Sequence, residues 1–228
     1  MGRPRLAESN FSYLLGGLLL FFLLVPALHL FSGIVAEAEQ VRDLLTVSFS
    51  VFMLIGVWGL QGNRRMFRFG LTLSLLQVIL AVIDQVAKVP GTKLCVVLNI
   101  LAFCALSAFL AAQHVFSWRR ADTNTLIGAV CVYLLLGLIW AVVYGVFAYF
   151  RPEDSFNGLT YREGAVQFDN FLYYSFVTLT TAGYGDITPV NPFLRTLAYL
   201  EMIAGQFYMA ILVAGLVGLF MSRRGPID

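Results

Sequence analysis

Three stretches of this chain, residues 11–32, 94–116 and 125–150, each run for more than twenty positions without a charged side chain. A helix that crosses a bilayer needs about 20 mostly apolar residues, so these stretches decide the class of molecule. Residues 44–60 are uncharged but short, and residues 193–221 carry only Arg195 and Glu201. Residues 66–89 are weaker. Their uncharged core spans 69–83, and Asp84 and Lys88 follow it. A short or tilted span and a re-entrant segment both fit; a span is favoured because it makes the charge pattern consistent.

Composition agrees with this reading. Charged residues make up 12% and hydrophobic residues 59%, against about 25% charged in a typical soluble domain. So apolar a chain cannot be hidden in one soluble core, nor is it a disordered segment. The net charge of +2 gives no reason to expect a nucleic-acid partner. The expected fold class is an all-α integral membrane protein with six transmembrane helices, surrounded by membrane lipids.

The charges sort by side. With a cytoplasmic N-terminus and six spans, the inside segments hold nine arginines (3, 5, 64, 65, 68, 119, 120, 223 and 224) against Glu8, Asp122 and Asp228, a net +6. The outside segments hold six basic and nine acidic residues, a net −3. This is the positive-inside pattern, and it puts both termini in the cytoplasm of a plasma or inner membrane. Arg3 and Arg5 before an apolar run also resemble a signal peptide, but 22 residues exceed the usual 7–15. Residues 11–32 are therefore expected to stay as a helix.

No enzyme is expected. Cys95, Cys104 and Cys131 are odd in number and sit in apolar runs, and His29 and His114 are isolated. No disulfide framework, metal cluster, catalytic triad or phosphate loop follows from them. No internal repeat of span length is evident, which argues against a duplicated transporter. The basic stretch 117–124 is the expected boundary between residues 1–120, a four-helix membrane unit, and residues 121–228, a pore unit.

Residues 151–192 carry the chemistry. Residues 151–167 are polar, with Pro152 and Asn157-Gly158 as turn signals. Residues 168–180 are apolar and aromatic but too short to cross, and Asp169 and Asn170 are suited to cap them as a helix. Next come Thr181-Ala182-Gly183-Tyr184-Gly185-Asp186. Irregular backbone at membrane depth survives only where protein buries it or water lines it. A short helix running in and an extended return meet that condition. The helix C-terminus favours a cation. Gly183 and Gly185 allow positive φ, and alternating such residues with ordinary ones turns successive carbonyls to one axis. A row of carbonyls can replace an ion's hydration shell. One chain supplies one wall, and four chains around an axis complete the cage.

Residues 178–186, TLTTAGYGD, resemble the potassium-channel signature TxxTxGYGD. The resemblance covers 172–205, and the remainder is similar in span pattern only. It implies a homotetramer with a pore helix over 168–180, a filter over 181–186, an outer helix over 125–150 and an inner helix over 193–221. It implies K+ sites at Thr181, Ala182, Gly183 and Tyr184, with Gly185 turning the chain out and Asp186 at the outer mouth. Tyr173 and Tyr174 would brace Tyr184. Ala182 stands where Val or Ile is common, and Val177 where some relatives carry a Glu that pairs with the filter Asp. No cofactor is implied beyond the permeant ion.

The inner helix is expected to line a cavity with Gln206, Ala210, Val213 and Val217. Gly205 is either a hinge or a packing residue. Glu201, ionisable within a span, is functional by default. Either it bonds the pore helix from behind, at Thr180, or it senses pH. The fourth span has no arginine, so steep voltage gating is not expected. Seven residues after Met221 lead to the expectation of no cytoplasmic ligand-binding domain. A nonselective cation channel and a non-conducting accessory subunit stay open as alternatives.

Overall fold

The computed structural model of the chain describes residues 11–35, 38–58, 64–87, 91–115, 123–159, 161–162, 165–166 and 168–223. Seven helices account for nearly all of it: α1 (Phe11–Val35), α2 (Ala38–Val57), α3 (Arg64–Ala87), α4 (Thr92–Val115), α5 (Thr123–Phe150), α6 (Phe168–Leu179) and α7 (Pro192–Arg223). Each expected span and the expected pore helix has one matching helix. Among the described residues three stretches are long and apolar enough to cross a membrane: Arg64–Val86, Thr92–Val115 and Asn124–Phe150. The first is the segment whose composition looked weakest. It reads as a full-length helix because Arg64, Arg65 and Arg68 lie in its first turns and Asp84 in its last, leaving the middle apolar. Arg3, Arg5, Arg119, Arg120, Arg224 and most of the boundary stretch 117–124 lie outside the described residues.

Helix starts follow local chemistry. Asn191 precedes α7 and accepts a hydrogen bond from Phe193 N at 2.9 Å, while Pro192 takes the first helical position, where its missing N–H costs nothing. Gly91, at φ +93°, turns the chain into α4.

Helices α1, α2 and α4 share a core of large side chains. Phe21 packs on Phe49 with ring centroids 4.3 Å apart, and Phe52 meets the edge of Phe103. Among apolar lipid tails such packing gains its energy from close van der Waals fit rather than from leaving water. This unit sits on α5 through both α1 and α4, and Asn124 Oδ1 accepts from Phe11 N at 3.0 Å. It also reaches the short helix α6. Phe22 of α1 meets Phe176 edge-on at 5.4 Å, and Phe49 of α2 meets Phe168 at 5.6 Å. Gly137 of α5 makes room for Phe176, since a Cβ there would lie 2.7 Å from the ring.

Two short antiparallel strand pairings complete the described fold. β1 (Phe156–Asn157) runs antiparallel to β4 (Thr188–Pro189), with Asn157 opposite Thr188. β2 (Tyr161–Arg162) pairs with β3 (Ala165–Val166). The first pairing fixes the loop after α5 to the chain leaving the glycine-rich segment. Gly158, at φ +82°, lies so close to Asp186 that an added Cβ would stand 1.9 Å from its carbonyl oxygen. The Asn157-Gly158 pair, a turn signal in the sequence, is therefore also a docking point.

Candidate functional site

Helix α6 buries Phe171, Leu172, Tyr174, Ser175, Thr178 and Leu179. These fall three and four apart, one face of a 3.6-residue period, and that face turns toward α5 and α7. The helix ends at Leu179. Its last turn is tied into the following segment through the Val177 carbonyl, which accepts from Ala182 N at 2.9 Å and Gly183 N at 3.4 Å. Thr181 N donates to Thr178 O at 2.9 Å.

Beyond that tie the backbone alternates. Thr181, Gly183 and Gly185 have φ of +58°, +58° and +77°, while Ala182 and Tyr184 do not enter the left-handed region. The glycines were expected to do this. Thr181 was not, because a β-branched residue pays for positive φ in clashes with its own backbone. Such strain persists only where surroundings enforce it. Here the amide of Thr181 is held by Thr178 and its hydroxyl by Gln206 of α7, whose Nε2 donates to Thr181 Oγ1 at 3.0 Å. Residues 181–186 are all exposed in the single chain, and a Cβ on Gly183 or Gly185 would meet nothing within 4 Å.

The far end of this segment is held by tyrosine. Tyr173 donates through its hydroxyl to Asp186 Oδ2 at 2.7 Å, and this bond holds the carboxyl below the usual carboxylate range. The Tyr173 and Tyr184 rings lie nearly parallel, 6.5 Å apart. So Tyr173 does two jobs in this chain. Tyr174, expected beside it, instead turns inward against Tyr144 and Phe156.

Behind α6 sits Glu201 of α7, fully buried. Its partners differ from the expected one. Glu201 Oε1 accepts from Ser175 at 2.5 Å and Oε2 from Tyr144 at 2.6 Å. Thr180 instead bonds its own helix, donating to Phe176 O at 2.7 Å, because it lies past the end of α6 on the exposed side. Ser175 also reaches Gly137 O at 2.7 Å. Helices α5, α6 and α7 therefore meet at one carboxyl group. Nothing in the pattern around Ser175 or Tyr144 marked them beforehand; a serine on the buried face of an aromatic helix was the available signal.

Gly205 lies where α7 crosses the end of α6. A Cβ there would stand 2.2 Å from Leu179 O. Gln206 and Ala210 share one exposed face of α7. The side chains of Val213 and Val217 lie outside the described residues.

The site is thus a row of alternating backbone that follows the short helix α6. Residues 129–222 match the family model described as an ion channel. Two relatives from Arabidopsis thaliana are two-pore potassium channel 5, 31% identical over 87 residues, and two-pore potassium channel 2, 29% identical over 99. Residues 129–222 are thus similar to ion channels, and the two relatives are potassium channels by name. The matched regions take in 38% and 43% of this chain and 20% of each relative, so the chain spans about a fifth of their length. No solved structure gives a significant match. The channel domain defined by the family model thus contains α6, the alternating segment, nearly all of α7 and most of α5.

Proposed function

We propose that the protein is a potassium-selective channel in which four chains enclose one pore. The carrying observation is the alternation at Thr181, Gly183 and Gly185. Right- and left-handed residues in turn swing successive carbonyls to the same side. The carbonyls of Thr181, Ala182, Gly183 and Tyr184 then serve as K+ ligands in place of water. Gly185 carries the chain out, and Asp186 adds negative charge at the mouth, where four copies raise the local cation concentration.

The single chain leaves the surface that four-fold packing needs. Ile203, Phe207 and Ile211 fall four residues apart on α7 and are 46%, 64% and 49% exposed. Tyr184 is 73% exposed. An apolar stripe of this kind beside an exposed filter fits a second copy of the same chain. In this reading α1 to α5 and α7 are the six spans, α6 is re-entrant, and both termini are cytoplasmic. Gln206 and Ala210 face the cavity below the filter, and the channel is not steeply voltage-gated.

Reconstitution in liposomes tests this directly. A K+/Na+ gradient should give a reversal potential near the K+ equilibrium value, with barium-sensitive flux. Equal permeability to Na+ would replace this reading with a nonselective channel, and absence of flux from the folded protein would replace it with an accessory subunit.

A further inference from the structure

We propose that the cavity between the four-helix unit and the pore unit is a phospholipid site. It takes part of one acyl chain of a zwitterionic lipid, with the lipid ammonium on Asp84 and the phosphate on Lys93. The cavity holds about 260 Å³ and is bounded by α2, α3, α4, α5 and the start of α6. Its walls include Val97, Ile100, Val146 and Phe171, and its polar residues are few. A space of this volume takes part of one acyl chain, and the rest of the chain lies along the apolar opening. Because α3, α4 and α5 are each long and apolar enough to cross a membrane, lipid is the medium around this opening.

The rim decides the class of lipid. Asp84 is half-buried near the end of α3, and Lys93 stands exposed in the first turn of α4. Both line the cavity, and among the described residues they form no salt bridge with each other. A carboxylate beside apolar walls is costly without a cationic partner. The lysine stem can lie along the wall while its ammonium reaches the headgroup level. A fatty acid would satisfy Lys93 and be repelled by Asp84. A cationic amphiphile would do the reverse. A zwitterionic headgroup answers both charges, and an ethanolamine ammonium also donates hydrogen bonds to a carboxylate. The inner wall includes Phe168 and Phe171 of α6, so an occupied cavity presses on the start of the pore helix.

The test needs no conduction, so it stands or falls apart from the proposed channel activity. The full chain is purified from equimolar phosphatidylethanolamine and phosphatidylglycerol, and retained lipid is counted by native mass spectrometry. The expected result is about one phosphatidylethanolamine per chain, preferred about fivefold, a difference on the order of 1 kcal/mol. Val97→Phe and Val146→Phe should each remove most of it at an unchanged melting temperature. Asp84→Asn should shift the preference to phosphatidylglycerol, and this rim variant carries the test if the cavity-filling ones do not fold. Absence of retained lipid in the wild type, equal retention of the two lipids, or an Asp84→Asn protein with unchanged preference would each overturn the proposal.

Discussion

The Glu201 carboxyl on α7 and the Ser175 hydroxyl on α6 lie 2.5 Å apart, which fastens α7 to the back of α6. Ser175 is also 2.7 Å from Gly137 O. The single hydroxyl hydrogen of Ser175 is shared between these two acceptors. A glutamine amide keeps both contacts: it donates to the Ser175 oxygen, which then donates to Gly137 O, and it accepts from Tyr144. Glu201→Gln is therefore expected to keep the melting temperature of the assembled protein near wild type. Glu201→Ala strands two buried hydroxyls and should cost about 1–3 kcal/mol. Equal losses in both variants would show that the ionised carboxylate is needed.

Gly205 and Gly16 make opposite predictions for one substitution. A Cβ at Gly205 would stand 2.2 Å from Leu179 O, a backbone atom that cannot swing aside. Gly205→Ala should therefore displace the end of α6 and lower K+ flux through the assembled protein. Gly16 has nothing within 4 Å of its would-be Cβ. There alanine should be neutral or stabilise by up to about 1 kcal/mol, the helix-propensity difference. A Gly205→Ala channel with normal flux and stability would mean that α7 and α6 do not approach this closely.

Asp186 owes its lowered pKa first to the Tyr173 hydroxyl. The carboxylate is charged above its own pKa and neutral below it. A depressed value thus keeps the mouth negative into more acidic medium. Tyr173→Phe removes the bond, and the carboxyl returns toward the ordinary range. External acidification should then reduce single-channel K+ conductance starting at a higher pH than in the wild type. Superimposable pH profiles would remove Asp186 from the path of entering ions.

Much of this was legible in the sequence, for identifiable reasons. Uncharged runs and caps are local, so the helices could be placed within about three residues, except that α2 starts at Ala38, six positions before its uncharged run, because its first turns carry Glu39, Arg42 and Asp43. The alternation at Gly183 and Gly185 was readable because glycine is the residue that adopts positive φ freely. Thr181 was hidden, since its strain depends on Gln206, 25 positions away. The partners of Glu201 were hidden for the same reason: which side of α6 faces α7 is set by packing, and that packing chose Ser175 over Thr180. Tyr173 and Tyr174 are neighbours with identical chemistry, and only the helix phase sends one to Asp186 and the other into the core.

Gln206 donates to the Thr181 hydroxyl at 3.0 Å. That hydroxyl lies at the inner end of the alternating row, so its orientation affects any cation held there. Gln206→Ala removes the donor and frees the Thr181 side chain. Internal barium, a divalent ion of K+ size used as a blocker, should bind more weakly, with a faster release rate. Unchanged block would place the Thr181 hydroxyl outside the inner ion site.

Voltage dependence follows from what α4 carries. Between Thr92 and Val115 its ionisable side chains are Lys93 in the first turn, Cys95, Cys104 and His114 in the last. The apolar middle holds no arginine. Moving one charge through the membrane field yields only about 2.3 kcal/mol per 100 mV, so steep gating requires several charges per chain that cross together. Lys93 starts at the end of the helix where it can reach water, and it has no basic neighbour one or two turns on. With symmetrical K+ on both sides of a planar bilayer, open probability should change little between −100 and +100 mV, values at which a sensor with about three charges per chain would switch almost completely. A steep sigmoid, or gating charge of several elementary charges per chain, would require the charges to come from α2 or α3 instead.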